Sequence, residues 1–102
     1  MYPTDIDLTR LKGWDFLEDS LEDFLKLLSS LWHWSTFGYK RVNHKSGTIR
    51  LELHTGGWSG NEDIIAMLQQ NIFWSMFWQR SRRGGHYYLL IDAKTIRRWR
   101  ID

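Results

Sequence analysis

From Trp14 onward the apolar positions Trp14, Leu17, Leu21, Phe24, Leu25, Leu28, Leu31 and Trp32 recur at steps of three and four residues, which traces one helix face. Asp15, with Glu18 three residues on, supplies an N-cap and an N3 acid, and acids crowd the first turn where the helix dipole favours them. The pattern predicts a helix over 15–31, preceded by an N-terminal arm at 1–12. The period then changes from helical to alternating. Strands are predicted near 34–42 and 48–55, around the turn Asn43-His44-Lys45-Ser46-Gly47. A register pairing Arg41 with Ile49 sets Phe37, Tyr39, Ile49, Leu51 and Leu53 on one face. Trp34, Thr36, Lys40, Arg50, Glu52 and His54 then share the other, the division of a half-buried antiparallel sheet.

Thr55-Gly56-Gly57-Trp58-Ser59-Gly60 break the strand. Ser59 with Glu62 matches a second capping box, and Ile64, Ile65, Leu68 and Ile72 supply a helical stripe that ends near Asn71. The aromatic residues of 73–80 favour a strand over continued helix. Arg82-Arg83-Gly84-Gly85 then reads as a hairpin turn into a strand from His86 to Ile91. The element order is α-β-β-α-β-β. It predicts an α+β fold, a single domain over 1–102, with one antiparallel sheet covered by helices on one face and a basic tail at 93–102.

Composition narrows the chemistry. The 102 residues contain no Cys, four His and seven Trp. A chain without cysteine holds no disulfide framework and no Cys-ligated metal centre. No apolar run reaches the roughly 18 residues of a membrane span, and the acidic N-terminus does not read as a signal peptide. The expectation is a cytoplasmic protein with no membrane partner. His33, His44, His54 and His86 show no metal-ligand spacing, so neither a metal nor a cofactor is expected. Gly57-Trp58-Ser59-Gly60-Asn61 departs from a nucleophile elbow at Asn61, and no Ser/His/Asp set or carboxylate pair stands out. No catalytic residue is assigned, and the chain is read as a binding protein rather than an enzyme.

Charge is polarised behind a net +2. Residues 1–28 carry seven acids against three bases, whereas 80–102 carry seven bases, six of them Arg, against two acids. Guanidinium forks suit phosphate and carboxylate, which points to an anionic partner. A Gly-rich turn running into a helix lets backbone N–H groups approach an anion. Gly56, Gly57, Ser59 and Asn61 are therefore candidate ligand contacts, with Trp58 as a stacking ring. The second turn adds Arg80, Arg82, Arg83 and His86, and Tyr87 as a further stacking ring. If the two turns share one end of the sheet, they form a site for a phosphorylated, nucleotide-like molecule. Arg97, Arg98, Trp99 and Arg100 in the tail offer a second surface, for nucleic acid or a host protein.

The segments Leu53-His-Thr-Gly-Gly-Trp-Ser-Gly-Asn-Glu-Asp-Ile-Ile65 and Ser81-Arg-Arg-Gly-Gly-His-Tyr87 resemble small bacteriophage-encoded proteins over roughly residues 48–91. That resemblance carries over no functional residue. It implies a setting, the cytoplasm of an infected bacterium, in which small accessory proteins block host enzymes or sequester nucleotide signals. The expectation is an anti-defence binding protein for a nucleotide-like ligand, acting as a homo-oligomer that encloses what a small monomer leaves open. Alternatives are an inhibitor of a host protein or nucleic acid, and a small phage assembly protein.

Overall fold

The apolar stripe that begins at Trp14 is divided between a turn and a helix. The computed structural model describes residues 2–92 together with 94 and 95. The expected arm is instead a helix, α1 (Asp5–Lys12), closed by a capping box in which Thr4 Oγ1 accepts from the Asp7 N–H and Asp7 Oδ2 from the Thr4 N–H. Its apolar face is little more than Leu8 and Leu11, too short for the periodicity to register. Asp15 caps only a single turn, its carbonyl accepting from Glu18 and Asp19. The long helix α2 (Leu21–Leu31) starts later, at Ser20, whose hydroxyl accepts from the Asp23 N–H at 3.0 Å. Packing explains the break. Trp14 and Phe16 both lie edge-on to Phe24, at 5.5 and 4.9 Å, and residues two apart on one helix face different ways. Leu17 is consequently exposed rather than part of the stripe.

A one-turn helix α3 (Ser35–Gly38) takes the place of the first expected strand residues, so Thr36 and Phe37 lie outside the sheet. Strands β1 (Tyr39–Asn43) and β2 (Ile49–His54) pair Arg41 with Leu51 rather than Ile49. A slip of two residues preserves which side chains share a face. Tyr39, Ile49, Leu51 and Leu53 still turn toward the helices, and Lys40, Arg50, Glu52 and His54 away from them. Helix α4 (Ser59–Leu68) is entered one residue early: Trp58 occupies the N-cap without a side-chain bond, and the expected Ser59–Glu62 box does not form.

Asn71 starts a new helix rather than ending the old one. Its Oδ1 accepts from the Phe73 N–H at 2.9 Å, opening α5 (Ile72–Phe77), and only Trp78–Arg82 forms strand β3. The strand expected over 73–80 is therefore helix for most of its length. Phe73 and Phe77 are both buried while Ser75 between them is exposed, which fits a helix, whereas alternation would set all three on one face. Strand β4 (His86–Ile91) completes a four-stranded antiparallel sheet of order β1-β2-β4-β3. The fold is α+β, as the pattern of elements predicts. Phe24, Leu28, Ile64, Leu68 and Phe73 bury the inner face, with Leu51, Leu53, Leu89 and Ile91 of the sheet beneath them. The tail contacts expected at Arg97, Arg98, Trp99 and Arg100 lie outside the described residues.

Candidate functional site

Strand alternation sorts every sheet residue, and the buried set Leu51, Leu53, Leu89 and Ile91 defines the helix side. The opposite side then holds Lys40 on β1, Arg50, Glu52 and His54 on β2, and His86, Tyr88 and Leu90 on β4. The register places Arg50 across from Leu90, Glu52 across from Tyr88 and His54 across from His86. On β3 a bulge between Trp78 and Arg80 resets the alternation, so Trp78 stands opposite Leu89 while Arg80 and Arg82 stand opposite Tyr88 and His86. That single extra residue puts both arginines on the open face. Lys40, Arg50, Arg80 and Arg82 thus confront one carboxylate, Glu52.

The contacts on this face form one connected set. The Arg80 guanidinium lies 4.4 Å from the Tyr88 ring centre, a cation–π contact of about 0.5–1 kcal/mol at an exposed site. His54 Nδ1 and His86 Nδ1 are 2.7 Å apart, so one ring donates the proton that the other accepts. Glu52 reaches 3.6 Å from both His54 Nε2 and Arg50 Nε. Arg50, Glu52, Gln79, Arg80 and Tyr88 line a shallow groove of about 510 Å³. Cationic forks, two imidazoles and one aromatic ring can hold phosphate oxygens and a planar group.

The two glycine turns meet at one end of this face. The Thr55 N–H donates to the Gly85 carbonyl at 2.9 Å, and a Cβ on Gly85 would stand 2.0 Å from Thr55 Oγ1. Gly85 also has φ +82°, so that no side chain fits there on either ground. The turn carrying Gly56 and Gly57 therefore adjoins the turn that Arg82 and Arg83 enter and His86 leaves. Arg83 is exposed in the turn, and the Gly57 N–H is directed loosely at Thr55 Oγ1, 3.5 Å away.

Other expected contacts have different roles. Asn61 is fully buried: its Oδ1 accepts from the His33 N–H at 2.9 Å and its Nδ2 donates to the His33 and Thr55 carbonyls. No ligand reaches it. Trp58 is stacked on Tyr2 at 4.8 Å and on His33 at 4.2 Å, and its ring fills the space a Gly60 side chain would need. Ser59 bonds to the Tyr2 hydroxyl at 3.4 Å. Tyr87 is on the helix side, edge-on to Trp74 at 5.5 Å, so Tyr88 is the ring that the open face presents. Counting alternately from His86 finds Tyr88, and extending the outward set of β2 across the sheet finds Arg50, Glu52 and His54.

Trp34 is the remaining unusual residue at this end. Among the described residues it is the one non-glycine with positive φ, at φ 57° and ψ 48°, a left-handed conformation costing an L-residue roughly 1–2 kcal/mol. The residue is 58% exposed, and its ring rests tilted on His33 at 4.4 Å and lies beside Gly56, where a Cβ would stand 3.6 Å from it.

Among the described residues, no helix is long and apolar enough to cross a membrane, and no group of three or more His, Asp or Glu is placed to hold a metal ion. Comparison with protein-family models, with curated proteins and with solved structures gives no match to this chain.

Proposed function

We propose that the protein is a non-enzymatic binder of a phosphorylated, nucleotide-like ligand, held on the open face of the sheet. The observation that carries the reading is the four cations Lys40, Arg50, Arg80 and Arg82 projected from three of the sheet's four strands onto one face, against the single carboxylate of Glu52. Arg80 and Arg82 hold the phosphates as forks, Tyr88 supplies a ring, and the turn of Gly84, Gly85 and Arg83 closes one end. In the bacteriophage setting implied by the motif resemblance, such a protein sequesters a nucleotide used by the host's defence. A second copy closing over the shallow groove is part of the same reading, and sedimentation with and without ligand measures it.

The test is calorimetric titration and thermal shift against linear and cyclic nucleotides, with short single-stranded DNA and RNA included. A native-state ligand raises apparent stability by mass action. The reading expects one nucleotide class to stabilise the protein and to be recovered chemically unchanged. Arg80→Ala and Arg82→Ala each weaken binding by about tenfold, equivalent to roughly 1.4 kcal/mol. Silence toward every nucleotide sinks the reading. A strand that binds far more tightly than its mononucleotide transfers it to single-stranded nucleic acid, and turnover of the ligand makes the protein an enzyme.

A further inference from the structure

We infer that Trp34 is a pre-set stacking platform for the planar base of that ligand. The inference rests on the phosphate-binding reading of the sheet face and adds the subsite that recognises the ring. Trp34 is held by its neighbours, and its own ring rests tilted on the His33 ring at 4.4 Å, leaving the rest of the indole open. The buried Asn61 side chain grips both backbone polar groups of His33, accepting from its N–H at 2.9 Å and donating to its carbonyl at 3.0 Å. The His33 ring is stacked at 4.2 Å on Trp58, which in turn stacks on Tyr2. Residue 33 is thereby fixed from both sides, and the next residue enters α3 in the left-handed conformation. Glycine or asparagine adopts that conformation at little cost, whereas a bulky aromatic residue does not.

A tryptophan placed there is covered in part by His33 and still leaves 58% of its surface to solvent. Strain retained at an exposed aromatic residue is the mark of a ring held ready for a ligand. Its surroundings select the ligand's chemistry. The indole lies beside Gly56, one residue beyond Thr55, whose N–H bonds to Gly85 of the neighbouring turn. Arg82 and Arg83 enter that turn, and His86 leaves it opposite Arg82. Two strand spacings, roughly 10 Å, therefore separate the indole's side of the sheet end from the arginine strand. That is the span of a single nucleotide from base to phosphate. A planar heteroaromatic ring with an anionic tail is the class of ligand that meets both ends.

The test replaces Trp34 by residues that accept the left-handed turn. Trp34→Gly and Trp34→Asn should leave Tm unchanged or raise it, while weakening binding of the nucleotide found by titration by roughly tenfold or more. Trp34→Phe should keep most of the affinity and abolish most of the ligand-induced change in tryptophan fluorescence. Phe37→Ala, an exposed aromatic on the same short helix, should change neither. Lowered Tm in both Trp34→Gly and Trp34→Asn would make Trp34 a packing residue and overturn the inference. Unchanged affinity in those two variants overturns it as well, while leaving the basic face intact as the binding site. A wild-type protein that binds no nucleotide removes the reading and the platform together.

Discussion

Two buried asparagines each hold backbone that no regular element satisfies. Asn71 Nδ2 donates toward the carbonyls of Leu11, Lys12 and Trp14 at 3.0–3.2 Å, while its Oδ1 caps α5. It ties the end of α1 to the start of α5, elements 60 residues apart in sequence. Removing the amide leaves several buried carbonyls and one N–H without their partner, each worth about 1–3 kcal/mol when left unmet. Asn71→Ala is expected to cost about 3 kcal/mol in denaturant unfolding. Asn71→Asp is expected to be no better, because a carboxylate keeps the cap but points negative oxygen at three carbonyls. Tyr39 carries a different signal. Its hydroxyl donates to the Leu25 carbonyl at 3.4 Å, and burial, together with the nearby Glu22 and against the opposing pull of Arg41, raises its pKa from 10.0 to about 12. The protonated form is favoured in the native state, so the stability it contributes is complete below pH 10 and is lost as pH climbs toward 12. Denaturant midpoints across that window should fall by the equivalent of about 2–3 kcal/mol, and Tyr39→Phe should flatten the slope.

At the scale of elements, parity decides which side of the sheet a residue serves. Tyr87 and Tyr88 are adjacent in sequence yet serve opposite sides of β4, one packed on the core and the other beneath Arg80. Tyr87→Ala is expected to destabilise the fold by about 2 kcal/mol, the scale of removing a half-buried aromatic ring, with ligand affinity per folded molecule unchanged. Tyr88→Ala should do the reverse: a smaller stability loss of about 1 kcal/mol, the scale of the Arg80 contact, and weaker ligand binding. Calorimetry on both variants separates the two, and the opposite pattern would show the sheet assignment to be wrong. The bulge near Gln79 belongs to the same logic, since a straight β3 would have put Trp78 on the side of Arg80. Ion pairing between elements matters less. Arg41 holds Glu22 of α2 through both guanidinium arms, and this contact raises the Arg41 pKa further. At such exposure a pair contributes about 1 kcal/mol or less.

For the whole molecule, the helices bury one face of the sheet and concentrate acids on their own outer side, while the opposite face is cationic. A face that holds a nucleotide's phosphates through exposed guanidinium groups should lose affinity as salt screens them, with a shallower slope in log K against log salt than counterion release gives a polymeric strand. Titrations at several salt concentrations check this, and a flat dependence would contradict a phosphate-dominated interface. The same slope should shrink in Arg80→Ala and Arg82→Ala, and remain unaltered in Lys45→Ala, whose side chain lies in the β1–β2 turn.

Local sequence was sufficient for α2, the β1–β2 hairpin with its correct faces, the start of β4 and the α+β class. In each, periodicity and turn chemistry act within a few residues and agree with one another. The proximity of the glycine turns could be framed as a condition in the sequence, but it depended on the pairing of β2 with β4, a contact between segments some 30 residues apart. The break between Asp15 and Ser20, the helix at 72–77 and the inward turn of Tyr87 were likewise decided by packing. Phe24 needed Trp14 and Phe16 together, Asn71 needed the carbonyls at the end of α1, and the bulge fixed which side of β3 carried the arginines. The left-handed Trp34 is the plainest case, because its own conformational preference opposes it. It follows His33, whose backbone Asn61, far along the chain, holds through both polar groups.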